Sequence, residues 1–68
     1  MIGGMRKRYT VVFKGLVGGK YEIVDSYTDE GRIGDVIRRA EARRRPSAEG
    51  YEIADEGGIV YQKEGRWT

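Results

Sequence analysis

Polar and apolar residues alternate through Arg8 to Val17, RYTVVFKGLV, with Tyr9, Val11 and Phe13 on one side and Thr10, Val12 and Lys14 on the other. That period of two predicts a β-strand. Gly18-Gly19 interrupts it, and KYEIVDSY at 20–27 predicts a returning strand. A three-residue loop, Val17-Gly18-Gly19, sets Phe13 opposite Ile23, Val11 opposite Asp25, Tyr9 opposite Tyr27 and Lys14 opposite Glu22. A two-residue loop places Phe13 opposite Val24 and Lys14 opposite Ile23, which mixes the two faces, so the longer loop is preferred.

The period then changes to that of a helix. In DEGRIGDVIRRAEARRRP, from Asp29 to Pro46, the residues Ile33, Val36, Ile37 and Ala40 fall at i, i+3, i+4 and i+7, one stripe facing a core. Thr28 or Asp29 supplies an N-cap oxygen, Asp29 and Glu30 suit the positive end of the dipole, and Arg43, Arg44 and Arg45 suit the negative end. Pro46 stops the helix. After a polar connection at 47–50, YEIAD at 51–55 and IVYQK at 59–63 predict a second hairpin closed by Glu56-Gly57-Gly58, with Ile53 opposite Tyr61 and Ala54 opposite Val60. YEIVD at 21–25 and YEIAD at 51–55 echo each other, as ordinary strand sequences do.

These elements predict an α+β fold of order ββαββ, in which two β-hairpins form a four-stranded sheet with one amphipathic helix packed across one face. Tyr9, Val11, Phe13, Ile23, Ile53 and Tyr61 are expected to face the helix stripe. Two strand arrangements stay open: a mixed sheet with the first strand beside the last, or hairpins meeting at a different edge. Residues 1–7 read as a flexible lead-in, with Met1 and Met5 as alternative starts, 8–64 as one domain, and 65–68 as a tail whose Trp67 caps the sheet.

Composition narrows the chemistry. The 68 residues include neither cysteine nor histidine, which excludes disulfides, Cys/His zinc sites, thiol catalysis and histidine acid/base chemistry. No apolar run approaches the ~20 residues of a membrane span, and MIGGMRKR lacks the apolar core of a signal peptide, so a cytoplasmic protein is expected. Charged residues make up 35%, arginine outnumbers lysine, asparagine is absent and Gln62 is the one amide side chain, a thermophile-like composition that a GC-rich genome also produces.

Gly-Gly pairs at 3–4, 18–19 and 57–58 lack the spacing of a phosphate loop and read as turns. The acid pairs Asp29-Glu30 and Asp55-Glu56 sit at a helix start and a turn, where acids are structurally expected. No enzyme, cofactor, metal site or small-molecule substrate is therefore predicted. Two binding readings remain. A protein-interaction module, or a self-assembling homodimer, uses the bare sheet face with Val12, Val24, Ala54 and Val60. A nucleic-acid binder uses the basic arm Arg6, Lys7 and Arg8 with one helix flank, Arg32, Arg39 and Arg43, for phosphate contacts. Opposing the second, Asp35 is placed to pair with Arg39, and Glu41 with Arg45.

The hairpin–helix–strand order over residues 9–63, with FKGLVGGKYEIV leading into IGDVIRRAE, resembles the ubiquitin-like β-grasp fold. The chain departs from that family by stopping about one strand early and by ending in Gly65-Arg66-Trp67-Thr68 where conjugated members carry a terminal Gly-Gly. The resemblance implies a sheet surface used for protein contacts and no modifier chemistry.

Overall fold

The computed structural model describes residues 7–44 and 47–64. In chain order the elements are β1 (Lys7–Val17), β2 (Lys20–Gly31), α1 (Ile33–Arg43), β3 (Gly50–Asp55) and β4 (Gly58–Glu64). Expectations for Arg6, for Arg45 with its pairing to Glu41, for Pro46 and for the Trp67 cap lie outside the described residues; the helix itself ends at Arg43, with Arg44 as its C-cap in an extended conformation, short of the stop expected at Pro46.

Gly18 and Gly19 both take positive φ, 60° and 84°. Two such residues in succession make a type I′ turn, whose twist matches that of the flanking strands. Val17 therefore pairs with Lys20, across a loop of two residues where three were expected. The mixing of faces that argued against this loop is resolved by a β-bulge: Lys14 pairs with Ile23 but Phe13 pairs with Asp25, leaving Val24 as the extra residue. Val24 turns toward the core, while Ile23 is thrown onto the opposite face. Beyond the bulge Val11 pairs with Tyr27 and Tyr9 with Asp29. The second hairpin also joins a two-residue loop to a bulge, but with a different turn, since neither Glu56 nor Gly57 takes positive φ and Gly58 does, at 123°. Asp55 pairs with Gly58 across Glu56-Gly57, the Gly57 amide donates to Asp55 Oδ1 at 2.7 Å, and a bulge at Val60 sets Ala54 opposite Ile59 and Ile53 opposite Tyr61.

The expected ββαββ unit, with one helix packed across one face, is corrected by the pairing. All four strands lie in one antiparallel sheet of order β2-β1-β3-β4, with the helix following β2. β1 is central and pairs with β2 and β3, which excludes the mixed sheet with the first strand beside the last. β2 and β3 thus run in the same direction on either side of β1, and α1 is the crossover between them, lying closest to β2. The coarse class is α+β.

The helix starts later than its sequence signals suggest. Thr28, Asp29 and Glu30 stay extended, paired with Thr10, Tyr9 and Arg8, because ladder pairing with β1 outweighs local capping preference. Gly31, at φ 122°, ends the strand, and Arg32 takes the N-cap position with no side-chain cap; its carbonyl accepts from the Asp35 and Val36 amides at 3.0 Å each. The core joins Tyr9, Val11 and Phe13 of β1 and Tyr51 and Ile53 of β3 to Val36 and Ala40 of α1 and to Ala48. Val24, Tyr27, Ile33, Ile37 and Tyr61 pack around its edge. Aromatic rings run across all four strands on this face: Tyr27 to Phe13 at 6.2 Å between centroids, Phe13 to Tyr51 at 5.7 Å, and Tyr51 to Tyr61 at 5.9 Å.

Candidate interaction surfaces

The helix covers the face bearing Tyr9, Val11 and Phe13, so the alternate residues of each strand form an outer face that no described element covers. On it the ladder places Leu16 beside Tyr21, Lys14 beside Ile23 and Gly50, Val12 beside Ser26 and Glu52, and Thr10 beside Thr28 and Ala54, with Ile59 next to Ala54. Leu16, Tyr21, Ile23 and Ile59 are 54, 60, 64 and 55% exposed. They follow a diagonal from the tip of the first hairpin through half-buried Val12 and Ala54 to the turn of the second.

This arrangement revises the set expected to line the face. Val12 and Ala54 are there, half-buried; Val60 is exposed, at the bulge; Val24 belongs to the margin of the core. Leu16, Tyr21, Ile23 and Ile59 were missed; Leu16 follows from the alternation of β1, and the other three follow from the two-residue turns. Gly-Gly at 18–19 was the signal available for Tyr21 and Ile23, since only a two-residue loop uses both glycines as its central residues.

Charges on the outer face are largely matched within the chain. Lys14 Nζ donates to Glu52 Oε2 at 2.9 Å near the middle, and Arg8 lies 3.9 Å from Glu30 at one end.

Of the described cations proposed for phosphate contact, Lys7, Arg8, Arg39 and Arg43 are engaged within the chain. Lys7 Nζ lies 3.0 Å from Asp55 Oδ2; the hydrogen bond between them holds the Lys7 ammonium above its ordinary range and the Asp55 carboxyl below its own. Arg39 grips Asp29 with two hydrogen bonds, Nε to Oδ2 at 2.8 Å and Nη2 to Oδ1 at 3.0 Å, and also donates to the Glu30 carbonyl at 2.9 Å. This grip lowers the Asp29 pKa and replaces the expected pairing with Asp35, which instead accepts from Arg38. The Arg43 guanidinium lies 3.9 Å from the centre of the Tyr27 ring, a cation–π contact. Arg32 is exposed at the helix start.

A third cluster ties α1 to the far strands. Tyr51 donates its hydroxyl to Glu41 Oε2 at 2.7 Å, and Lys63 donates to the same oxygen at 3.1 Å. The Tyr51 bond is the largest cause of a lowered Glu41 pKa, and burial, reinforced by Glu41, pushes the Tyr51 phenol far up. A cavity of about 130 Å³ nearby is bordered by Lys14, Tyr21, Gly50, Tyr51, Glu52, Lys63 and Glu64. Among the described residues no group of three or more acids is placed to hold a metal ion, and no helix is long and apolar enough to cross a membrane. The chain matches no family model, and neither a curated protein nor a solved structure matches it.

Proposed function

We propose that this chain is a small non-enzymatic interaction module acting through protein contacts made by the outer face of its sheet. The observation that carries this reading is the diagonal of large apolar side chains, Leu16, Tyr21, Ile23 and Ile59, each more than half exposed on the face opposite the helix. A contiguous exposed apolar strip is the ordinary mark of a contact surface. The polar groups among them, Thr10, Ser26, Thr28 and the Lys14–Glu52 pair, resemble the mixture found at non-obligate interfaces.

Arginine pairing supports protein contact over phosphate contact. A phosphate contact by Arg39 would have to displace a bidentate carboxylate, and one by Lys7 a lysine–aspartate pair. The test is affinity capture from a cell extract with immobilised wild-type chain and an Ile23→Lys, Leu16→Lys double variant. Proteins retained by the wild type and lost from the variant, with unchanged circular dichroism, support the reading. Identical retention by both, from a chain that also does not self-associate, overturns it.

A further inference from the structure

We infer that the occupant of the outer face is a second copy of this chain, forming a twofold face-to-face dimer centred near Val12. The inference rests on the reading of this face as a contact surface, and symmetry and charge carry it further. A twofold dimer requires one patch to be complementary to itself. The apolar diagonal begins at Leu16 and Tyr21, passes Ile23, Val12 and Ala54, and ends at Ile59. A twofold axis lying in the contact plane, perpendicular to this diagonal and through Val12, maps the diagonal onto itself. It sets the hairpin tip of one copy against Ala54 and Ile59 of the other. The strands of the two sheets then cross steeply, as in orthogonal sheet packing.

Charge favours a copy over a strongly basic or acidic partner. Lys14 and Glu52 form a pair at the centre of the face, and Arg8 lies beside Glu30 at its end, so two such faces meet without large like-charge repulsion. Area sets the strength. Strands of 11, 12, 6 and 7 residues, at about 3.3 Å per residue and 4.8 Å between strands, tile roughly 570 Å². A standard interface takes about 800 Å² from each partner, so this one falls at the small, reversible end of the range.

Sedimentation equilibrium of the purified chain over micromolar to millimolar concentrations tests the dimer. A reversible transition from 7.7 kDa to twice that mass is expected. Ile23→Lys and, separately, Ile59→Lys should each weaken it at least tenfold, while Arg38→Gln on the helix should leave it unchanged. Because the chain has no cysteine, one introduced thiol reports only on contacts between copies. Val12→Cys should oxidise to a disulfide dimer at least tenfold faster than Arg38→Cys. A species of 7.7 kDa at millimolar concentration, or equal oxidation of the two cysteine variants, overturns the inference. If the chain is monomeric while capture still depends on Ile23 and Leu16, the partner is a different protein and the contact reading stands. Loss of both effects removes the two together.

Discussion

Ile23 and Ile53 occupy the same sheet, yet one is 64% exposed and the other fully buried. Truncating Ile53 to alanine should cost about 2–5 kcal/mol, because it removes packed methylenes and leaves a cavity between β1, β4 and the helix. The same change at Ile23 should stay within about 0.5 kcal/mol. Urea midpoints of the two variants check this, and similar losses would mean that the bulge at Val24 is misplaced. Tyr51 carries two separable contributions. Its ring packs between Phe13 and Tyr61, and its hydroxyl satisfies Glu41. Tyr51→Phe keeps the ring and removes a hydrogen bond to a charged acceptor, so a loss of about 1.5–3 kcal/mol is expected in the same urea assay. A neutral effect would indicate that Lys63 and water satisfy Glu41 without it.

Between elements, carboxylates tie the C-terminal half of the helix to both sides of the sheet: Asp29 of β2 holds Arg39, and Glu41 holds Tyr51 of β3 and Lys63 of β4. Both carboxyls have folded-state pKa values below their ordinary ones. A lowered carboxyl pKa contributes stability above the unfolded value, about 4, and loses it as pH falls through the folded value. Tyr27, raised by burial, and Tyr51 act in the opposite sense: their contribution is present below about 10 and is lost as pH rises beyond it. With no histidine to titrate between these limits, thermal midpoints should be nearly flat from about pH 5 to 9 and fall on either side. Asp29→Asn should lower the midpoint at pH 7 and flatten the acid limb. An unchanged acid limb would show that the Arg39 clasp contributes little.

Taken whole, the molecule carries a net charge of only +2, and Lys7, Arg38 and Arg39 each have an acidic partner in the chain. Its affinity for duplex DNA at about 50 mM salt should therefore be weaker than ~10⁻⁴ M, the lax end of non-specific binding. Fluorescence anisotropy with a labelled duplex measures this. Tighter binding with a steep salt slope, lost on changing Arg32, Arg39 and Arg43 to glutamine, would restore the phosphate-contact reading. The molecular scale also sets the consequence of the sheet order. With β1 in the centre, the apolar residues of both hairpins share one uncovered face, and blocking that face through Ile23→Lys or Ile59→Lys should act on association without touching the core.

What the sequence by itself determined is whatever depends on local periodicity. Alternation marked Tyr9, Val11, Phe13 and Ile53 as core, and the helical stripe marked Val36 and Ala40, because a side chain's face follows from its position modulo the repeat. Only the tertiary structure decided the rest. One bulge residue shifts every later position of a strand to the other face, and whether a strand bulges depends on which partner it meets. That decision exposed Ile23 and turned Val24 inward. The strand beside β1, the extension of β2 through Glu30, and the choice of Asp29 over Asp35 as the partner of Arg39 are likewise contacts between residues distant in sequence. Such contacts form only once the whole sheet is in place, and no local pattern encodes them.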